Sequence, residues 1–210
     1  MRRTRLLVAV PAALLALSGC GSNDAPHPGL AAQVDGTSLS LSSLDDLVDA
    51  VCIATANAPQ GQATTRGIAA SQEIGAWVTS QAFIQYAAQH DLPGARTTQD
   101  LSGVPGLDQM TTAQRAALQD LIDDQAQATA INKLAGGLKL DPADFDIVIN
   151  PRFDMGATSE GLVASDRQLS VPVSSDAVAA GAQQPTAAQL AALPESQLCG
   201  RRPVIGATAQ

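Results

Sequence analysis

Two extended stretches stand at opposite ends of a long helical middle, and this order limits the folds open to the sequence. The first is residues 31–41, where Asp35-Gly36 lies between Val34 on one side and Leu39 and Leu41 on the other. Asp-Gly is a strong two-residue hairpin signal, and the apolar residues alternate as strands with one buried face require. The second is Asp146-Ile147-Val148-Ile149-Asn150, closed by Pro151. A proline cannot donate to a strand ladder, so the run ends there.

Three helical patterns fill the middle. Ser42 or Ser43 caps the first, with Asp45 or Asp46 three residues on to complete a capping box. Leu44, Leu47, Val48 and Val51 then fall on one face with Cys52 at its edge, and residues 58–61 end the helix. The second pattern covers residues 65–90. Ile74, Trp77, Val78, Ile84 and Ala88 share one stripe, while Phe83 and Tyr86 lie opposite. Such a helix is either buried on two sides or shows an apolar patch to solvent. Asp91-Leu92-Pro93-Gly94 stops it, and His90 there suits the helix C-terminal dipole.

Residues 91–110 read as a Pro- and Gly-bearing loop with one short helical turn near residues 98–101. Thr111 or Thr112 caps the third helix, which runs to about Leu134 before Gly136-Gly137. Its early face is Leu118, Leu121 and Ile122; Ile131, Leu134 and Leu138 lie on a rotated one, as in a helix that meets two partners along its length. Asp141-Pro142-Ala143-Asp144-Phe145 reads as a capped turn, and Leu162-Val163 and residues 169–173 as further extended chain. Beyond Ser174 the composition turns to Ala, Gln, Pro and Gly, which predicts a disordered tail with a weak helix at residues 187–193.

The chain opens with Arg2, Arg3 and Arg5 and an apolar run over residues 6–17 broken only by Pro11. That is the layout of a secretory signal peptide. The run is too short to cross a bilayer, which takes about 20 apolar residues. Its end, Leu17-Ser18-Gly19-Cys20, resembles a bacterial lipobox. The resemblance implies cleavage before Cys20, lipid on the Cys20 sulfur and a chain tethered to the outer face of the cell membrane. Residues 1–19 then form the signal peptide, 20–30 a flexible tether, 31–173 one domain and 174–210 a low-complexity tail. His27 lies in the tether with no second ligand near it.

Residues 1–19 hold three arginines and no acid, so from Cys20 onward nine basic face 20 acidic side chains, a net charge of −11. That excludes nucleic acid, which demands clustered Lys and Arg. It also leaves membrane attachment to the lipid on Cys20 rather than to charge. Two cysteines remain, Cys52 and Cys199. In an oxidising compartment an even pair suggests a disulfide tying the tail to the first helix. The competing reading is a buried Cys52 and a free Cys199 in the tail.

Catalytic patterns are sparse. There is no glycine-rich phosphate loop, no Cys-x-x-Cys and no His-Glu-x-x-His. A serine nucleophile needs a histidine base, and neither His27 nor His90 is placed to serve. Asp45-Asp46 and Asp120-Asp123-Asp124 read as wet helix faces rather than catalytic carboxylates or a calcium site, which favours loops. Arg152, just after the strand-ending Pro151, is placed to pair with a helix carboxylate and pin the strand.

The order of lipobox, spacer, Val34-Asp35-Gly36 hairpin, capped helix, two longer helices and Asn150-Pro151-Arg152-Phe153 followed by Gly161-Leu162 resembles the N-terminal chaperone domain of SurA- and PrsA-type foldases. The resemblance spans about residues 31–165. It implies a mainly α fold of three main helices, with a small β-sheet formed by the N-terminal hairpin and a late closing strand. Enzymatic members carry a parvulin isomerase domain between helices and closing strand, where this chain has only residues 136–146. The resemblance therefore implies a chaperone scaffold without isomerase activity and without cofactor or metal. Its partners would be unfolded or exported polypeptides, with Trp77, Phe83 and Tyr86 as candidate client-binding residues. The alternative is an envelope adaptor or structural lipoprotein that binds one specific protein.

Overall fold

The computed structural model describes residues 28–158, 161–164 and 185–205. The signal peptide, Cys20, most of the tether and the extended run 169–173 lie outside the described residues. The described chain is mixed rather than mainly α: it is about 53% helical, with four helices and small antiparallel sheets. Along the chain these are β1 (Leu30–Val34), β2 (Thr37–Ser40), α1 (Leu41–Asn57), β3 (Thr64–Thr65), α2 (Arg66–Gln89) and α3 (Thr112–Leu134). Then come β4 (Ile147–Ile149), β5 (Met155–Thr158), β6 (Gly161–Ala164), α4 (Ala187–Ala192) and β7 (Leu198–Cys199).

Asp35 and Gly36 turn the first hairpin with φ of 45° and 84°. A two-residue turn of this hand needs positive φ at both positions, which explains the Asp-Gly pair. The late strand returns to this hairpin: the sheet order is β2-β1-β4, with Gln33 opposite Val148 and Val34 opposite Ile147. Polar groups clamp β4 at both ends. The Asp35 carboxylate accepts from Asp146 N at 2.8 Å, and Asn150 Nδ2 donates to Leu30 O at 2.8 Å. Arg152 does not do this work. Among the described residues it pairs with no carboxylate, and its guanidinium lies 5.1 Å from the centre of the Phe153 ring.

The cap of α1 is Ser40, whose hydroxyl accepts from Ser43 N at 3.0 Å, rather than Ser42 or Ser43. The last residue of β2 is already extended, as a cap must be, so the helix starts without a linker. Thr65 caps α2 by accepting from Ile68 N at 3.1 Å. Thr111 and Gln114 form a reciprocal capping box at α3, with bonds of 3.2 and 2.9 Å. The expected helical turn at residues 98–101 is absent. Asp100 turns its carboxylate onto Ser102 N and the Ser102 hydroxyl instead, and the one short 3₁₀ turn here is Leu107–Gln109.

The core is aliphatic: Leu44, Leu47, Val48, Ile74, Val78, Leu118 and Leu121 pack around Trp77 and several alanines. Helix α2 packs against α1, α3 and β1, while Phe83 and Tyr86 on its other side are only half-buried. Two positions depart from the expected stripes. Ala88 is exposed and Ala87 buried in its place, and on α3 Ile131 is buried while Leu134 is 58% exposed.

The tail is not disordered over residues 185–205. Helix α4 forms there, β7 pairs antiparallel with β3, and Leu190, Leu193 and Leu198 pack with Ala63. Cys199 is disulfide-bonded to Cys52 across 147 residues, with Cα atoms 4.6 Å apart. No described helix is long and apolar enough to cross a membrane.

Candidate functional site

The candidate site is an open apolar groove of about 360 Å³ between α2, the turn after α3, and strands β4 and β6. Val78, Ala82 and Phe83 of α2 form its floor. Leu138 and Leu140 make one wall, and Ile147 and Leu162 the other. Local sequence dictates each wall. Gly136 and Gly137 take φ of 75° and 80°, which ends α3 and reverses the chain. Asp141 then caps a turn by accepting from Ala143 N at 2.9 Å, which sets the chain up to enter β4. The β5–β6 hairpin reaches α2 at Gly75, where a Cβ would sit 3.9 Å from both Leu162 and Met155. Among the described residues Lys139 is the only ionisable side chain on the lining. The described lining offers mainly apolar contacts.

Of the three aromatic candidates, the structure brings only Phe83 to this groove. It is half-buried and also borders a cleft of about 420 Å³ between α2 and α3. Trp77 is 7% exposed and belongs to the core, and it borders a separate cleft of about 650 Å³ beside Arg96 and Asp124 rather than this groove. Tyr86 is half-buried, packs against the core and meets the His90 ring at 4.2 Å between centroids.

The acids of α3 are not simply a wet face. Asp123 and Asp124 are buried, and with Asp120 they surround Arg96 from the loop after α2. Arg96 lies 2.8 Å from Asp120 and 3.5 Å from Asp124. The Asp123 carboxylate accepts from Gln99 N and Gln119 Nε2, both at 2.7 Å. Gln81 Nε2 donates to Asp124 at 2.8 Å. Burial pushes the Asp124 carboxyl above the usual carboxylate range, and Arg96 and Gln81 pull it partly back. These bonds fasten residues 96–99 onto α3 and give the buried carboxylates their partners. Sequence spacing does not reveal the network, because Arg96 stands 24 residues before Asp120 in an irregular loop. Among the described residues no group of three or more His, Cys, Asp and Glu is arranged to hold a metal.

Comparison with protein-family models, with curated proteins and with solved structures gave no match to this chain.

Proposed function

We propose that the chain is a lipid-anchored, extracytoplasmic chaperone-like protein that holds unfolded or exported polypeptides without isomerising them. The carrying observation is the apolar groove of about 360 Å³ beside the sheet in which β1 meets β4. Such pairing of first and closing strands is what resemblance to SurA- and PrsA-type chaperone domains implies. The groove can shelter aliphatic side chains that an unfolded client exposes, and each buried CH₂ contributes about 0.8 kcal/mol.

The test is whether the chain from residue 21 onward slows aggregation of an unfolded model client. The reading expects slowing at several-fold excess, weakened by Phe83→Ala. No slowing at that ratio refutes holding activity. An isomerase assay on a proline-containing peptide should stay flat.

The modest volume of the groove favours a second reading, an adaptor that binds one envelope protein. Recovery of a single stoichiometric partner in a pull-down would select it over the first.

A further inference from the structure

Strand β4 is an edge of its sheet, and the register shows which backbone groups it leaves unused. In an antiparallel pair, directly opposed residues alternate between those that exchange both hydrogen bonds and those whose N–H and C=O point away from the partner. Asp35 N donates to Asp146 O at 3.0 Å and Asn150 N to Ala31 O at 2.9 Å. With Gln33 opposite Val148, positions 146, 148 and 150 therefore face β1. Ile147 and Ile149 turn their N–H and C=O to the other side, where no described group meets them. The β5–β6 hairpin forms a separate two-stranded sheet and does not pair with β4.

The side chains of Ile147 and Ile149 point the opposite way from Val148. They lie beside buried Val34 and Ala32, on the sheet face that packs toward α2. A strand laid along β4 would sit about 4.8 Å further out. Its inward side chains would continue the Ile147 row over Val78, Ala82 and Phe83, which is where the groove lies. Edge and groove are thus two halves of one receptor: backbone groups on one side and an apolar trough beneath.

The surround is acidic. Exposed Asp141, Asp144, Asp146 and Asp154 flank β4, against exposed Lys139 and Arg152. We propose that the outer edge of β4 takes up an extended segment of a client polypeptide as an added antiparallel or parallel strand. The segment would carry aliphatic residues at alternate positions and basic residues at its ends. Bonds to Ile147 and Ile149 supply affinity independent of client sequence, and the groove selects the alternate side chains. The inference rests on the polypeptide-binding reading above and gives it a binding mode.

The experiment uses the chain from residue 21 onward and a synthetic nonapeptide of alternating Leu and Thr with two Lys at each end. Amide hydrogen exchange is followed residue by residue. With the peptide bound, exchange at Ile147 and Ile149 should slow at least tenfold, while that at Val148, already bonded to β1, changes little. A peptide N-methylated at every Leu and Thr lacks the donors whichever way the strand runs and should bind at least tenfold more weakly. Phe83→Ala, a floor residue outside the sheet, should weaken the first peptide while leaving the exchange of Val148 in the free protein unchanged. If the peptide binds and the Ile147 and Ile149 amides do not slow, strand addition is overturned while polypeptide binding stands. Slow exchange at both amides in the free protein, with a concentration-dependent dimer in sedimentation, would give the edge to a second copy and overturn the proposal. Failure of the peptide to bind overturns it as well, and the aggregation assay then judges the broader reading by itself.

Discussion

Opening the Cys52–Cys199 bond is the perturbation whose size follows most directly from the architecture. The bond spans 147 residues. In the chain-entropy treatment a loop of that length withholds about 17 cal/mol/K from the unfolded chain, or about 5 kcal/mol at 25 °C. That figure is reached only if residues 185–205 stay docked once the bond is open. Their other holds are slight: the two-residue ladder of Thr64–Thr65 with Leu198–Cys199, one bond from Arg201 to Ala56 O at 3.0 Å, and the small Leu190, Leu193 and Leu198 cluster. If reduction lets the segment leave, the remaining body relaxes and the loss falls toward about 2 kcal/mol, the low end of the usual range. Trp77 is the single tryptophan of the chain and is buried, so its fluorescence reports the body rather than the tail. Urea unfolding, with and without reductant and in a Cys52→Ala, Cys199→Ala double variant, should show a loss of about 2–5 kcal/mol. The slope against urea should rise too, because the uncrosslinked unfolded chain exposes more surface. A loss below about 1 kcal/mol with an unchanged slope would refute the reasoning.

Asp123→Ala should cost about 1–3 kcal/mol in urea unfolding, because it strands Gln99 N and leaves Gln119 Nε2 only its bond to Gln99 O; a cost under about 0.5 kcal/mol would show that the network does not hold the loop. Gly106→Ala should be clearly more destabilising than Gly136→Ala, as read by thermal midpoints. Both residues have φ above 70°, but a Cβ at Gly106 would fall 2.6 Å from Asn57 Nδ2 and 2.9 Å from Ile53 Cγ2, whereas Gly136 faces open space. Equal midpoints would contradict that packing. Burial raises the carboxyls of both Asp124 and Glu73. A group that binds its proton more tightly when folded stabilises most below its unfolded pKa, and that contribution is lost as pH climbs through the folded value. Glu73→Gln combined with Asp124→Asn should therefore flatten any decline of the urea midpoint as pH rises from the ordinary carboxylate range; parallel profiles for the variant and the natural chain would count against it.

Where local signals had one solution, the sequence could be read. Asp35-Gly36 permits hardly any chain reversal but a tight hairpin, and the ends of α2 and α3 fall where Thr65, Thr111 and the Gly136-Gly137 pair put them. Spacing alone puts the α1 cap two or three positions late because all four non-leucine residues of 38–43 are serines whose hydroxyls compete, with Ser40 winning by lying at the end of β2. The tail was misjudged because composition ignores tethering: a weak helix and two strand residues hold once a covalent bond and a β3 partner keep them nearby. The groove was half legible. Phe83 stood out as an aromatic off the main stripe, but Leu138, Leu140 and Leu162 come from loops whose approach to α2 only tertiary structure sets. Asp123 and Asp124 looked solvated because helical spacing says nothing of a guanidinium arriving from elsewhere.

The pairing of β1 with β4 also fixes a timetable. The carboxylate of Asp35 waits for an amide 111 residues further along. At about 5–20 residues per second, that interval is roughly 6–22 s of synthesis. Throughout it the nascent hairpin holds Ala32 and Val34 without the strand that will flank them, while α1, α2 and α3 are made one after another. Helical contacts can mature early and locally, whereas the three-stranded sheet must wait for β4, and the β3–β7 ladder with its Cys52–Cys199 bond comes later still.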